Sequence, residues 1–258
     1  MALNLPKGYL SASQINLYLT CPKKYEAEYV LGVRPEVKRP AAMSVGSGVH
    51  KMVETHLQAT LNDTLLTTED ITDIIEDDLR GYFDPTTVDL EGDGLEQWLD
   101  YTQKLYNVWY KDVSPHLAIT ATEMEVEKVI GDAPCKGFVD YIDAGAGYQE
   151  VCDLKVTKRA KSIGDARDSV QLAIYSMATD IPCVRFDSLV KTKTPKVAVA
   201  RYEFAKHELD YFEELIGEVA LNISRGNFPR TTPTSWACSE KWCSNWGNCR
   251  GKNIHEYI

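Results

Sequence analysis

The 258-residue sequence contains no long apolar run, no low-complexity tract and no excess of positive charge. No apolar stretch approaches the length of a membrane-spanning helix, and the opening residues MALNLPKGYL lack the apolar segment of a signal peptide. We therefore expect a cytoplasmic protein with no membrane contact. The formal net charge of −10 argues against a protein that binds nucleic acid over its whole surface, but it leaves room for a local basic groove.

A disulfide framework is also missing. Seven cysteines is an odd number, and a reducing cytosol disfavours disulfide bonds. Three of the seven lie in apolar or strand-like segments, and we interpret them as ordinary core residues: Cys135, Cys152 and Cys183. The remaining four are spaced in a way that suits a metal centre.

The pattern of predicted elements changes from helical to alternating near Pro115. Before it, Ser11 and Gln14 form a capping-box pattern, and Pro22 suits the first turn of a second short helix. Apolar positions at helical spacing predict further helices at 44–61, 68–82, 94–113, 164–179 and 206–225. Alternating segments predict strands at 121–130, 135–144, 148–156, 187–192 and 197–204.

This order indicates an α+β fold with a central mixed β-sheet flanked by helices. The length and the ordinary composition suit a single domain over 1–258. Within it we assign 1–115 to a helical N-terminal part, 116–205 to the core, and 206–258 to a C-terminal helix with a cysteine-rich tail.

Charged side chains stand in and after one predicted strand, in the segment YQEVCDLKVTKRAKS. Asp153 and Lys155 are two residues apart and therefore share one face, whereas Glu150 lies on the opposite face and receives no metal role. A hairpin brings Asp140 beside Asp153, and two close carboxylates in a partly apolar sheet raise each other's pKa. A bound Mg²⁺ or Mn²⁺ removes that penalty. The alternative is that all three are exposed strand residues with no common role.

Three segments resemble the motifs of the PD-(D/E)xK nucleases, in particular the RecB-like exonuclease branch: GFVDYID, EVCDLKVTK and QLAIYSMA. The resemblance implies a restriction-endonuclease-like core. The second motif carboxylate is Glu in many members and Asp in this chain. Roles in catalysis are implied for Asp140, Asp153, Lys155, Gln171 and Tyr175.

The resemblance also implies a metal ligand on an N-terminal helix. In VGSGVHKMVE this is His50, although a lone helical histidine is more often structural. The implied Mg²⁺ or Mn²⁺ site combines His50 with Asp140, Asp153 and the main-chain carbonyl of Leu154, and Glu125 is a candidate for an outer contact. A basic run follows the second motif, and we predict that it lines the path of a DNA backbone: Lys158, Arg159 and Lys161.

Cys238, Cys243 and Cys249 cluster near the end of the chain, and Cys21 stands alone near its beginning. Four thiolates fit a zinc site or an iron–sulfur cluster, but structural zinc usually takes two cysteine pairs. The split of one and three resembles the cluster-bearing members of the branch, including CRISPR-associated, AddB-type and phage exonucleases. We therefore predict a [4Fe–4S] cluster rather than zinc or free thiols.

Such a cluster would tie the first helices to the tail, which has no core of its own. Indole rings close to the cysteines are expected to shield it from water: Trp236, Trp242 and Trp246.

Together these features predict a divalent-metal-dependent DNA exonuclease acting in recombination, repair or phage DNA processing, in a bacterial cytoplasm or a phage-infected host. Its partners would be single-stranded DNA or DNA ends, and recombination or replication proteins. A second hypothesis is a DNA-end-binding accessory subunit of a recombination or CRISPR adaptation complex, with a secondary or vestigial nuclease centre. A third is a cysteine-rich zinc-binding interaction module. Polarity, strand preference, oligomeric state and the role of residues 62–115 stay open.

Overall fold

The structure, a computed structural model, describes residues 3–33 and 38–251. Internal contacts divide these residues into two compact units. Unit 1 comprises the described residues of 1–36, 127–137 and 205–258, and unit 2 those of 37–126 and 138–204. The assignment of the whole chain to a single domain stays a prediction.

The helices and strands have the following bounds. The helices are α1 Ala12–Thr20, α2 Pro22–Tyr25, α3 Ala41–Leu61, α4 Thr68–Ile74, α5 Glu76–Tyr82, α6 Leu95–Asp112, α7 Ile163–Arg167, α8 Val170–Thr179 and α9 Lys206–Ser224. The strands are β1 Arg39–Pro40, β2 Val88–Asp89, β3 Ile119–Ile130, β4 Ala133–Asp143, β5 Glu150–Thr157, β6 Cys183–Val190 and β7 Lys196–Glu203. Single turns of π- or 3₁₀-helix occur at Glu26–Val30, Ser114–His116 and Gly247–Gly251.

The predicted helix boundaries are confirmed where a local signal marks them. The Ser11 hydroxyl accepts from the Gln14 amide and caps α1, and Pro22 occupies the first turn of α2. Helix α9 ends two residues before Gly226, whose φ of +71° is the left-handed conformation expected after a helix C-terminus.

Two predicted helices are each interrupted. The predicted helix 68–82 is α4 and α5, because Ile75 leaves the helical conformation while its side chain stays buried. The predicted helix 164–179 is α7 and α8, because Ser162 and Ser169 each cap a separate helix. Strand β6 begins four residues before the predicted strand 187–192.

Five strands form one mixed sheet in the order β3-β4-β5-β6-β7. Strands β4 and β5 pair antiparallel, β5 and β6 pair parallel, and β6 and β7 pair antiparallel. A parallel pair needs a long crossover, and here the chain between β5 and β6 contains α7 and α8. The predicted α+β class with a central mixed sheet flanked by helices is confirmed.

The core of unit 2 joins α3 to α6 with the middle of the sheet. Apolar side chains of these helices share one buried cluster with residues of three strands: Tyr141, Cys152, Leu154 and Leu189. The helical segment 62–115, which the sequence leaves without a role, therefore packs into the same core as the sheet. Cys135 and Cys152 are buried as predicted, whereas Cys183 is only partly buried.

The face of β5 opposite to Asp153 and Lys155 carries a buried ionic network around Arg185, which is 3% exposed. The Arg185 guanidinium donates to Asp143 at 2.9 Å, to Glu150 at 2.8 Å and to Asp187 at 3.1 Å. Arg201 also donates to Glu150 at 2.9 Å. Isolated buried carboxylates are costly, so these arginines satisfy the acidic side chains that the sheet buries. Glu150 belongs to this network, as its predicted opposite face requires.

Within residues 3–33 and 38–251, no helix is both long enough and apolar enough to cross a membrane.

Gly48 lets α3 lie close to its neighbours. A Cβ atom at Gly48 would stand 2.8 Å from Thr102 Cγ2 and 3.0 Å from Leu79 Cδ2, whereas a Cβ at Gly46 would meet only Val156 Cβ, at 4.0 Å. Both glycines lie in the same helix. The close packing at Gly48 thus places the next turn of α3, which carries His50, over the sheet.

We predict that Gly48→Ala and Gly46→Ala change stability in opposite directions. Gly46→Ala should stabilise by ~0.5–1 kcal/mol, because alanine loses less backbone entropy than glycine in a helix. Gly48→Ala should destabilise by ~1–3 kcal/mol, because the added methyl overpacks a filled core. Urea unfolding of both variants measures the difference, and an equal effect at the two positions would contradict the close approach.

Candidate active site

Next to the site, the main-chain pairing of β4 with β5 ends, and a hydrogen bond from the main chain to a side chain replaces it. The paired residues run from Asp143↔Glu150 to Tyr141↔Cys152. At the next position the Asp140 carboxylate takes over, and its Oδ2 accepts from the Leu154 amide at 2.6 Å. Asp140 is thereby fixed at the point where the two strands begin to separate. The N–H and C=O of one strand residue face the same neighbouring strand, so the Leu154 carbonyl also faces β4.

His50 reaches Asp140 from α3. Its Nδ1 lies 3.5 Å from Asp140 Oδ1. Burial lowers the pKa of His50, but the hydrogen bond and negative charge of Asp140, with a contribution from Asp153, outweigh burial and raise it overall. The predicted ligands His50 and Asp140 are therefore in direct contact.

Asp153 and Lys155 lie on one face of β5, as predicted. Asp153 is 1% exposed, and its Oδ2 lies 2.6 Å from Lys155 Nζ. This contact is an ion pair, and the charge and hydrogen bond of Lys155 oppose the rise in the pKa of Asp153 that burial and Asp140 cause. The Lys155 ammonium also stands 5.7 Å from the ring centre of Phe186, a cation–π distance that restricts where it can move.

Gln171 and Tyr175 hold Lys155 from α8. Lys155 Nζ donates to Gln171 Oε1 at 3.0 Å, and Gln171 Nε2 donates to Tyr175 OH at 2.8 Å. Burial raises the pKa of Tyr175, and its hydroxyl also hydrogen-bonds the backbone of Phe138. This chain of contacts connects β5, α8 and β4, so the predicted pair on α8 positions the lysine.

Glu123 is a carboxylate of the site that the sequence does not indicate. Its φ of +46° is uncommon for a residue other than glycine and marks an irregularity in β3. Burial and, after it, the charge of Asp140 raise the pKa of Glu123 to about 7. Regular alternation would put Glu123 and Glu125 on one face. Because Glu123 has a left-handed φ, the alternation is broken there, and the period of two does not predict the face on which either side chain lies. Glu125 is exposed.

The site collects more negative charge than its cations balance. Burial, followed by the charge of Asp140, raises the pKa of Asp153 to about 6, although Lys155 and His50 oppose the shift. Two carboxyl groups with raised pKa values thus flank Asp140. Close carboxylates that cannot all ionise easily are relieved by a cation.

The residues present fit a hard divalent cation. Carboxylate oxygens are the ligands that Mg²⁺ and Mn²⁺ prefer, and an imidazole suits Mn²⁺. The buried Asp153 lies close enough to Asp140 for the charge of Asp140 to raise its pKa. Among the described residues, no three histidine, cysteine, aspartate or glutamate side chains already stand in position to hold an ion. His50, Asp140 and Asp153 are engaged with one another and with Lys155, so ion binding requires these side chains to exchange partners.

The predicted basic run lies in two different environments. Lys158 and Arg159 are exposed after β5, and Arg159 lies 3.6 Å from Asp165. Lys161 is partly buried, with its ammonium 5.8 Å from the ring centre of Phe186, the same ring that Lys155 approaches. Of the three cations, Lys161 therefore shares an aromatic neighbour with the site.

Unit 1 contains the second predicted metal site. Four cysteines line one cavity of about 210 Å³: Cys21, Cys238, Cys243 and Cys249. Burial raises the pKa of Cys243, and the thiols of Cys21 and Cys249 raise it too.

The prediction that three indoles shield these cysteines is corrected in part. Trp246 lines the cavity, but Trp236 and Trp242 do not. They are 70% and 55% exposed, because the tail turns these two side chains away from the thiols.

Comparison with known proteins identifies a family and a similar fold. A sequence profile of the PD-(D/E)XK nuclease superfamily matches residues 9–250. A crystal structure from Eubacterium rectale, provisionally described as an exonuclease, has a TM-score of 0.56 and 14% identity over 92% of this chain and 87% of that chain. Such low identity indicates a shared fold alone. SSO0001 covers 90% of this chain and 95% of its own at 14% identity, with a TM-score of only 0.38. No curated protein sequence matches the chain.

We predict that Asp153 makes the metal-free protein less stable as the pH rises. Its pKa is about 6 in the folded state and 3.8 as the ordinary value, so the folded protein binds more protons than the unfolded chain between these values. Stability from this residue therefore falls by ~1–3 kcal/mol across that window and is lowest above it. Asp153→Asn should remove the fall, measured by urea unfolding in EDTA at about pH 4 and about pH 7.

Asp165→Asn is the matched control. Hydrogen bonds from Ser162 lower the pKa of Asp165, so its contribution is present at neutral pH and lost on acidification. This variant should be less stable than the unmodified protein at neutral pH and converge with it in acid. Asp153→Asn that keeps the original pH dependence would contradict the buried, unrelieved charge.

Proposed function

Because the chain belongs to the PD-(D/E)XK nuclease superfamily, we propose that it is a divalent-metal-dependent exonuclease that hydrolyses phosphodiester bonds of DNA. The observation that carries this proposal is the convergence of His50, Asp140, Asp153 and Lys155 from α3, β4 and β5. The five-stranded mixed sheet flanked by helices is consistent with a restriction-endonuclease-like core.

The cation would be held by His50, Asp140, Asp153 and the Leu154 carbonyl. When bound, a divalent cation supplies a Lewis acid for the phosphoryl oxygen and lowers the pKa of a water. Lys155 contributes a fixed positive charge where negative charge develops on the phosphate. Gln171 and Tyr175 keep that ammonium in place, so little reorganisation is needed during the reaction.

The basic residues after β5 would contact the DNA backbone. Lys161 shares the Phe186 ring with Lys155, and the exposed Lys158 raises the local positive charge enough to help lower the pKa of Lys191. A locally basic edge on an acidic protein suits a substrate of phosphates that is held near one site.

The test is digestion of end-labelled single- and double-stranded DNA with Mg²⁺, Mn²⁺ or EDTA. We expect cleavage that needs the metal, and a loss of ~10²–10⁴-fold in Asp153→Asn and Lys155→Ala, since each removes charge stabilisation of the transition state. Asp100→Asn and Lys104→Ala are the controls, because these residues form an exposed ion pair on α6. They should cleave normally.

Equal cleavage by all four variants would refute the assigned centre. Binding of DNA ends by the unmodified protein without cleavage under any metal condition would instead favour an accessory subunit.

The second part of the proposal is a [4Fe–4S] cluster held by Cys21, Cys238, Cys243 and Cys249. All four line one cavity, together with Lys23, Lys24, Arg230 and Arg250. Arg250 approaches within 3.6 Å of Cys238 Sγ. The cations offset the charge of the thiolates, which are the ligands of such clusters. Within the described part of the tail, residues 227–251, the regular structure consists of one π-turn, so ligation would supply folding free energy to this segment.

We expect the purified protein to be brown and to contain about four irons per chain. Changing any one of the four cysteines to Ser should lower the iron content and the melting temperature. Cys183→Ser is the control, since this partly buried cysteine starts β6 in unit 2, and it should keep its iron. Colourless protein with one zinc per chain would exclude the cluster and leave the nuclease proposal untouched.

A further inference from the structure

Two large aromatic side chains of the tail are exposed. Trp236 is 70% exposed and Trp242 is 55% exposed, while Trp246 fills the wall of the cysteine cavity. An indole exposes a large apolar area to water. Apolar side chains left together on a surface mark contact sites for another molecule.

The two indoles are arranged as a pair. Their ring centres lie 6.1 Å apart with an interplanar angle of 84°, which is an edge-to-face contact. The two side chains remain 70% and 55% exposed, so ring surface outside this contact is open to another molecule. Lys241 Nζ stands 5.0 Å from the ring centre of Trp242. A cation therefore accompanies an aromatic face that is open to solvent.

The segment that carries the pair is basic in an acidic protein. Residues 225–251 contain four basic side chains and one acidic side chain, Glu240, whereas the whole chain has a net charge of −10. The basic residues are Arg225, Arg230, Lys241 and Arg250. Positive charge together with open aromatic faces matches a ligand with both phosphates and exposed rings.

We infer that Trp236 and Trp242, with Lys241, form a stacking platform that binds the unpaired bases of single-stranded DNA. The identity of the ligand as DNA rests on the proposed nuclease function. A duplex keeps its base faces stacked inside and offers phosphates alone, which would leave two indoles without a contact. Unpaired bases present faces of any sequence to the indoles, while their phosphates meet the cations.

The experiment measures binding of a fluorescein-labelled oligothymidylate by anisotropy, in EDTA so that no cleavage occurs. Trp236→Ala and Trp242→Ala should each weaken binding by ~5- to 100-fold, the range for losing one stacked base. The double variant with Phe at both positions keeps aromatic faces and should retain most of the affinity. Iron content and melting temperature of each variant show whether the tail is intact.

Tyr211→Ala is the matched control. Tyr211 is an equally exposed aromatic residue, at 62%, on α9 of the same unit. Its neighbours in sequence include Asp210, Glu213 and Glu214, so it has the aromatic ring without the positive charge. Its loss should leave the binding of the oligonucleotide unchanged.

Two further arms separate stacking from charge. An abasic oligonucleotide keeps the phosphates and should bind the unmodified protein weakly, with no further loss in the alanine variants. Lys241→Ala should reduce the slope of log affinity against log salt by about 0.7. The Trp variants should leave that slope unchanged.

Unchanged affinity in both Trp→Ala variants would overturn the platform, and so would equal binding of duplex or abasic DNA. These results are distinct from failure of the nuclease proposal, which appears as absent metal-dependent cleavage. The platform would still hold if the oligonucleotide binds in EDTA and no cleavage follows. Conversely, suppose that the Trp variants bind longer strands normally and also cleave a thymidine dinucleotide normally. That result would refute the platform and leave the nuclease proposal intact.

Discussion

Strand β5 buries carboxylates on both of its faces, and the arrangement of unit 2 depends on compensating them. On one face, Glu150 is neutralised by Arg185 and Arg201. On the other face, Lys155 is the cation beside Asp153, and burial together with the charge of Asp140 still raises the pKa of Asp153 to about 6. A buried charge without compensation is costly. The first face is satisfied by the protein itself, so it contributes a fixed scaffold, while the carboxylates of the second face are only partly offset by Lys155 and His50.

The scaffold explains why the incomplete face can exist. Arg185 connects β4, β5 and β6 through Asp143, Glu150 and Asp187, which holds these strands together at one end. Towards the other end, β4 and β5 separate, and the Asp140 side chain replaces a ladder contact at the Leu154 amide. The side chains of His50 on α3 and Gln171 on α8 then reach Asp140 and Lys155. The uncommon backbone conformation of Glu123, with a φ of +46°, persists because the surrounding packing fixes it.

The two units use charge in different ways. In unit 2 carboxylates with raised pKa values gather around Asp140 on the sheet. In unit 1 four thiols, basic side chains and indoles gather in a tail with little regular structure. A segment that buries few apolar side chains of its own gains order from ligands. A net charge of −10 is therefore compatible with a segment that is locally basic.

The features that depend on neighbours along the chain could be predicted from the amino-acid sequence. The cap at Ser11, the end of α9 before Gly226, the α+β class and the shared face of Asp153 and Lys155 all follow from local chemistry and periodicity. Contacts between residues that are distant in the sequence depend on the tertiary structure and could not be predicted in this way. Glu123 reaches the site because its own left-handed φ breaks the alternation of β3. Arg185 forms hydrogen bonds with three carboxylates. Trp236 and Trp242 are exposed, while Trp246 lines the cysteine cavity. These outcomes depend on strand pairing and packing across long chain distances, which no local pattern encodes.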